Sequence, residues 1–347
     1  MESKKITIKD IARIAKVSHP AVSMALNNRP GVGEKKRQEI IKIAKQVGYH
    51  PNLVAKALVC NRSYTLGLII NNISDQFYTD LVKGVEKAAD EIGYNIILCT
   101  TNESLNSQKK YLDILQSRGV DGIIISTVLA RDPHISLLIK EQFPFVCINR
   151  VPLNRSLNNK VDYVILDNYS SGYKGMKHLW KLGHDRIAII TGSLNASNAI
   201  DSLEGAKGFL LEQRLKIDPI LLREGNYSRR EAYNATKQLI KLKKPPTAIF
   251  AHDDNMALSV REALLDSDLK IPEDIALIGI DNIEMGGLTG IDLTTISQEK
   301  NEMGYIGAKV LVKKIEKKAP IMVEKIVLGV DLIIRMTCGY SRYGYKR

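Results

Sequence analysis

Residues 6–62 carry side chains of the kind that grips a phosphate polyanion. Residues 1–62 hold 13 Lys and Arg against 4 Asp and Glu, an excess of nine cations, while the whole chain is only +12. Each phosphate neutralised by such a cation releases condensed counterion, so basicity this concentrated is what duplex nucleic acid binding requires. Within the stretch, Ser18-His-Pro-Ala-Val-Ser-Met-Ala-Leu-Asn27 reads as a short helix capped by Ser18. Pro20 is tolerated there because a first-turn amide has no helical partner to lose. A second kind of chemistry lies farther on. Phe77 and Tyr78 follow an apolar strand and offer flat faces, Arg150 offers a planar donor fork, and Asp281 ends an apolar run. Carboxylates and guanidinium groups pair with hydroxyls and aromatic rings stack on C–H faces, which is the chemistry by which a polyol is held.

These residues need elements to hold them. Thr7 and Asp10 have the spacing of a capping box, and Ile8, Ile11, Ala12, Ile14 and Ala15 recur near a 3.6-residue period behind it. After a break at Lys16-Val17 comes the Ser18 helix, and Ile40, Ile41, Ile43, Ala44 and Val47 predict a third amphipathic helix. A solvated basic tail would lack this periodicity. Two helices joined so tightly let one enter the major groove while the other braces against the backbone.

Beyond Tyr64 the pattern changes to alternating strands and helices. Strands are predicted at Leu66–Ile70, Asn95–Cys99, Gly122–Ile125, Phe145–Ile148, Val164–Leu166, Arg186–Ile190, Ala248–Phe250 and Ala276–Ile280. Helices fall through Val82–Ala89, around Leu112–Leu115, near Gly172–Leu182, and at Ser202–Gln213 and Asn255–Leu265. Apolar strands alternating with helices argue for parallel sheets covered on both faces, and two such series suggest two lobes with a ligand cleft at the strand C-termini.

A chain of 347 residues exceeds one ordinary domain, and its 44% hydrophobic and 25% charged residues are those of a globular protein. Cys60, Cys99, Cys147 and Cys338 are scattered without CxxC spacing, so neither a metal site nor a disulfide framework is expected, and no cofactor is. Met1-Glu-Ser-Lys-Lys5 has no apolar signal region behind it and no run approaches a membrane span, which predicts a cytoplasmic protein with no membrane partner. An enzyme is not expected. There is no phosphate-binding glycine loop with Lys-Ser/Thr, no HExxH and no GxSxG, and Asn71-Asn-Ile-Ser74 after the first strand lacks the glycines of a dinucleotide fold.

Ile6-Thr-Ile-Lys-Asp-Ile-Ala-Arg-Ile-Ala-Lys-Val-Ser18, Val22-Ser-Met-Ala-Leu-Asn27, Gly48-Tyr-His-Pro-Asn52 and Ala55-Lys-Ala-Leu58 together resemble the LacI/GalR family of bacterial repressors, and the likeness continues to about Cys338. The resemblance implies an all-α helix-turn-helix DNA-binding head at 1–51 and a hinge helix and linker at 52–63. It also implies an α/β two-lobed, periplasmic-binding-protein-like effector domain of two doubly wound parallel sheets at 64–340. The N-lobe would take 64–164 and 297–328, the C-lobe 165–295 and 329–340, with chain crossings near 164–167, 294–297 and 328–332.

By family position His19, Pro20 and Met24 are the candidates for reading bases. Many relatives carry Arg where Met24 stands and Thr where Ala21 stands. Met cannot engage guanine bidentately, so contact with a thymine methyl and a departure from the usual operator are expected. Met24 packing inward is the alternative. Thr7, Ser18, Ser23, Asn27 and Arg29 would anchor phosphates. Asn52 would cap the hinge helix Leu53–Val59, and Leu58 would wedge into the central minor groove beside its twin in a homodimer.

In the effector domain the resemblance adds Asp253, in Phe250-Ala-His-Asp-Asp-Asn-Met-Ala257, and Asn149 beside Arg150. Asp281 and Gln298 complete the set with Phe77 and Tyr78, Gln298 as the weaker candidate. Ser202 stands where sugar-binding relatives often have Arg, which puts an ordinary hexose or a carboxylate-bearing effector in doubt. Asp254 is also placed to cap a helix beginning at Asn255, and Arg150 to pair with Asp162 or Asp167. The function implied is a repressor that binds a palindromic operator of double-stranded DNA as a homodimer, gated by a carbohydrate-like small molecule. A protein corepressor acting on the same architecture is the alternative, and a sugar-transport receptor a weaker one. Gly339-Tyr-Ser-Arg-Tyr-Gly-Tyr-Lys-Arg347 has no leucine heptad, so a tetramer-forming extension is not expected.

Overall fold

The computed structural model describes residues 6–26, 30–49, 62–316 and 322–340. The chain divides into two units, Met1–Ser63 and Tyr64–Arg347. In the first, α1 (Ile8–Ala15), α2 (His19–Leu26) and α3 (Glu34–Gln46) enclose a small core of Ile11, Ala12, Ala15, Val22, Ala25, Ile40 and Ala44. The Asp10 carboxylate accepts from the Thr7 amide at 3.0 Å and from its hydroxyl at 2.7 Å, so α1 starts where the Thr7/Asp10 spacing predicts. Lys16 ends it in the left-handed region, φ +53°, and the Ser18 hydroxyl accepts from the Ala21 amide at 3.3 Å to begin α2. Ile14 is 48% exposed, a departure from its expected place on the buried face. It falls on the flank of the stripe set by Ile11 and Ala15, where the small core has nothing to cover it.

The second unit alternates strand and helix throughout. β1 (Thr65–Ile70), α4 (Gln76–Ile92), β2 (Asn95–Thr100), α5 (Leu105–Ser117), β3 (Gly122–Ile125), α6 (Pro133–Lys140), β4 (Phe145–Ile148), the single turn α7 (Arg155–Asn158) and β5 (Tyr163–Leu166) form the first series. The second runs α8 (Asn168–Lys181), β6 (Ile187–Thr191), α9 (Ser197–Glu212), β7 (Leu222–Glu224), α10 (Arg229–Leu239), β8 (Ala248–Ala251), α11 (Asp254–Leu265), β9 (Ala276–Asp281) and β10 (Thr294–Gln298). α12 (Lys300–Ile315), β11 (Lys325–Leu328) and β12 (Val330–Ile333) complete it.

Among the described residues the strands make two six-stranded sheets, ordered β11-β5-β4-β3-β1-β2 and β12-β10-β9-β8-β6-β7. All ladders are parallel except β12, which runs antiparallel to β10 on the edge of the second sheet. Strand order reverses between β1 and β3 in one sheet and between β6 and β8 in the other. These reversal points open crevices beyond the strands' carboxyl ends, where open α/β sheets bind ligands. β10 belongs to the second sheet as far as Gln298, so the return expected at 294–297 comes after that residue. Sequence periodicity could not locate it, because a single residue, Glu299, separates the strand from the next helix.

Each lobe is tied by one close helix crossing. α4 packs on α12 and α8 packs on α9. A Cβ on Gly84 would stand 1.9 Å from the Asn301 carbonyl oxygen, and one on Gly172 would stand 1.7 Å from that of Ser202. Gly304 and Gly205 face the same crossings from the partner helices. Only glycine permits backbones this near, and the second crossing fixes the height of α9 above its sheet. α9 begins at Ser197, five residues before the predicted start. Its N-cap, Ala196, makes no side-chain cap bond that a sequence pattern would reveal. α12 was not anticipated, for the same reason at Glu299. Among the described residues no helix is long and apolar enough to cross a membrane.

Candidate functional site

On the head, Thr7, Ser18, His19 and Pro20 are exposed, and Ser23 is half-buried. Met24 is half-buried too, with its sulfur against the turn at Gly31, where a Cβ would come within 3.0 Å of it. It thus has one side against protein and one side free. Each described acid of the head pairs on its own helix: Asp10 with Arg13, Glu34 with Arg37 and Glu39 with Lys36. Among the described residues Lys9, Lys16, Lys35, Lys42 and Lys45 are left exposed with no ion pair. The cationic surplus therefore faces solvent. Asn27, Arg29, Asn52, Leu58, Cys60 and the expected hinge helix lie outside the described residues.

In the second unit Phe77, Tyr78, Asn149, Arg150, Ser202, Asp253, Asp281 and Gln298 all line one cavity between the two sheets. The strands deliver them. Asn149 and Arg150 follow β4, Asp253 follows β8, and Asp281 and Gln298 end β9 and β10. Phe77 and Tyr78 sit in the first turn of α4, their rings edge to face with centroids 5.1 Å apart. The free volume is about 40 Å³, room for a few waters and far below the roughly 300 Å³ of a typical ligand site. The lobes are closed on each other. Asn255 donates to Asp75 at 3.0 Å, the Val151 amide to the Ser197 hydroxyl at 2.9 Å, the Ala130 amide to the Asn195 carbonyl at 2.8 Å, and Gln76 to Glu284 at 3.4 Å.

Arg150, 2% exposed, spends two of its nitrogens on Glu103 at 2.9 and 3.0 Å, and its guanidinium lies 5.3 Å from the centroid of the Tyr227 ring. The pairing expected with Asp162 or Asp167 does not occur. Asp162 binds Lys314 and the Glu324 amide, and Asp167 caps α8 through the Ser170 amide. Both are consumed by their own elements, whereas Glu103 stands on the β2–α5 loop in the left-handed region, φ +59°. Asp254 is not the cap of α11 either. Asp253 caps it through the Met256 amide, while Asp254 accepts from the Thr295 hydroxyl at 2.7 Å and the Ile283 amide at 2.9 Å.

The cavity leaves several polar atoms without partners. Arg150 Nε, Asn198 Oδ1, Ser202 Oγ and both ring nitrogens of His252 are buried and make no hydrogen bond. All four residues line the cavity. Such groups cost about 1–3 kcal/mol each when unsatisfied, so together they point to a polar ligand. Burial drives the Asp253 and Asp281 carboxyls well above the usual range, with Asp75 and Asp254 adding to the rise at Asp253, and Asp253 and Asp254 to that at Asp281. Burial likewise raises Asp75 and pushes His252 down to about 3, which keeps its imidazole neutral. Asp281 also holds φ +118°, unusual for a residue with a Cβ.

Asn71, Asp75, Asn168, Asn198, Tyr227 and His252 line the same cavity and were not anticipated. Asn71 immediately follows β1, so the strand-end rule would have found it. Asn198 lies four residues before Ser202 on the same face of α9. His252 sits inside the motif that supplied Asp253. Tyr227 carries no such signal, since it reaches the cavity only because a Cβ on Gly192 would fall 2.0 Å from its ring. Among the described residues no His, Cys, Asp and Glu are grouped to hold a metal ion, and Cys99, Cys147 and Cys338 are free and buried.

Comparison with known proteins places these two sites in one family. The profile of bacterial regulatory proteins of the lacI family matches residues 7–52, and that of periplasmic binding proteins and the sugar binding domain of the LacI family matches residues 63–334. The HTH-type transcriptional repressor PurR of Vibrio atlanticus is 32% identical over 313 residues, 90% of this chain and 92% of that protein. The HTH-type transcriptional regulator DegA of Bacillus subtilis is 31% identical over 335 residues, 95% of this chain and 97% of its own. Among solved structures, the Lac repressor dimer bound to operator and the anti-inducer ONPF superposes with a TM-score of 0.86 at 26% identity, over 96% of this chain and 99% of that one. The complex of the transcriptional regulator CelR with cellobiose gives 0.74 at 26% identity, over 96% and 99%. The chain belongs to the LacI family of bacterial regulatory proteins, DNA-binding transcriptional regulators that join a helix-turn-helix head to a periplasmic-binding-protein-like effector domain.

Proposed function

We propose that the chain is a homodimeric repressor that grips an inverted-repeat operator with its heads and is switched by a polyhydroxylated small molecule in the interlobe cleft. The observation that carries this reading is the cavity in which Arg150, Asn198, Ser202 and His252 leave buried polar atoms without partners. Hydroxyl groups both donate and accept, which suits that mixed set. The cleft as it stands is too small for a sugar, so a ligand enters only if the Asn255–Asp75 and Gln76–Glu284 contacts part. Ligand affinity thereby depends on lobe arrangement, and any ligand shifts DNA binding only by its differential affinity for the two arrangements, typically about 1–3 kcal/mol. The solved structures with cellobiose in CelR and with operator in the Lac repressor dimer support the same reading by similarity.

In this reading 1–51 is the head, 52–63 the hinge, and 64–340 the effector and dimerisation domain, working in the cytoplasm as a regulator and not as an enzyme. His19, Pro20 and Met24 read bases, Thr7, Ser18, Ser23, Asn27 and Arg29 hold phosphates, and Asn52 and Leu58 serve the hinge. Leu265, Met285, Leu288 and Met336 are exposed apolar side chains of the C-lobe, of the kind a second copy covers.

Fluorescence anisotropy of the full chain on inverted-repeat and random duplexes tests the DNA half. Preference for one repeat is expected, with Leu58→Ala weakening the operator complex far more than the random one. No preference for any repeat over bulk genomic fragments refutes it. A thermal-shift screen with sugars tests the effector half, and a flat response to all of them favours control by a protein partner.

A further inference from the structure

We propose that the effector carries a cationic nitrogen, as an amino sugar or amino polyol does, and that this group seats against Asp253 and Asp281 at the strand ends. The inference rests on the cleft being the effector site and specifies the chemical class of what fills it. Three carboxylates line the cavity: Asp75 from the first lobe, Asp253 and Asp281 from the second. Asp75 accepts from Phe77 and Asn255, and Asp253 from Met256. The Asp281 carboxylate accepts from no described residue, and the hydrogen bond at that residue uses its backbone carbonyl.

The cations nearby are already committed. Arg150 is the only Lys or Arg among the lining residues, and Glu103 holds its fork bidentately. Lys300 gives its ammonium to the Asp281 and Asn282 carbonyls and stands 3.9 Å from Asp80. Arg335, from the β12 side, bonds the Asn282 side chain and the Leu293 carbonyl. Asp254, behind the cavity wall, is spent on Thr295 and Ile283. The remaining titratable side chains of the lining are the phenols Tyr78 and Tyr227 and the imidazole His252, all neutral in this setting.

The cleft therefore holds acid in excess of base, three lining carboxylates against the one guanidinium, with Lys300 behind Asp281 acting on them only through space. The hydroxyls of a neutral sugar can donate to those carboxylates but bring no charge to balance them, and buried charge without a counter-charge is costly. An ammonium supplies a balancing charge and three donors at once. The unpartnered Ser202, Asn198 and His252 atoms, Ser202 and His252 being more than nine-tenths buried, then serve the ligand's hydroxyls. The excess of acidic side chains and the orphaned atoms are independent features that meet in one cavity.

The test uses matched probes on the full chain at pH 7: glucose, galactose and mannose, their 2-amino counterparts, and the neutral N-acetyl derivatives, by calorimetry. In at least one series the amino member should bind about tenfold or more tightly than both neutral members. A neutral member that binds as tightly as its amine overturns the proposal and leaves the effector cleft standing. Silence from every probe overturns both. Asp281→Asn should erase the preference for the amine, read as the ratio of amine to neutral affinity within one series. Should that variant fail to fold, Glu103→Gln, on a partly exposed loop, frees the Arg150 charge and should also reduce the preference. An unchanged ratio there refutes the charge argument.

Discussion

Asp253→Asn is the perturbation with the best-defined consequence. The side chain caps α11 through an oxygen that accepts from the Met256 amide, and asparagine keeps that acceptor. What changes is the proton. Burial, then the charges of Asp75 and Asp254, hold the native Asp253 carboxyl far above its unfolded value of about 3.9. Between that value and the native one, the folded state binds a proton that the unfolded chain has lost. Stability then falls as pH rises, by about 1.4 kcal/mol per pH unit for one such group. His252 and His178, pushed by burial to about 3 and about 4, act in the opposite sense. The unfolded chain protonates its histidines around pH 6.5 while the native ones stay neutral, so their contribution rises through that pH and levels off about a unit above it. From pH 6.5 to 7.5 the histidine contribution fades, and because it is the same in both proteins it cancels from the difference between their slopes. Urea unfolding followed by the fluorescence of the single tryptophan, Trp180, should show wild-type stability declining across that interval. The Asp253→Asn slope should be shallower by up to about 1.4 kcal/mol per pH unit. Equal slopes in the two proteins would refute the account of a carboxyl held neutral by burial.

Ser202→Ala removes a buried hydroxyl that has no partner, so the ligand-free protein should gain about 1 kcal/mol in urea unfolding while calorimetry shows weaker effector binding. A loss of both would assign Ser202 to the scaffold. Gly172→Ala drives a methyl against the Ser202 carbonyl and should cost about 1–3 kcal/mol; a folded variant should also bind effector poorly, because Asn198 and Ser202 ride on the displaced helix. Met24→Arg should shift operator preference toward a G·C pair at one position by about 1–3 kcal/mol in competition binding, and unchanged specificity would take Met24 out of base readout. Operator affinity should fall with salt by a log–log slope of about 0.9 per phosphate contact, and a flat salt profile would remove the charged head from the mechanism.

The local pattern of the chain determined a good deal. The Thr7 and Asp10 cap, the Ser18 cap and the apolar stripe through Ile11 and Ala15 are short-range features, and the three head helices form where those features stand. Strands such as Gly122–Ile125 and Phe145–Ile148 declared themselves because a parallel strand buried on both faces must be apolar throughout. Asp281 could be nominated because it ends a strand, where such sheets present side chains, whereas Asp253 was nominated only through the family likeness of its segment. Tertiary structure alone decided the rest. That Glu103 takes the Arg150 fork depends on two loops 47 residues apart meeting. Tyr227 enters the cavity through the space left at Gly192, and Asp254 turns away to Thr295 on another strand. No local pattern encodes such pairings, since the partner is chosen by how separate elements pack. The excess of acid in the cleft emerges in the same way, as a property of side chains gathered from distant segments and sealed together from water.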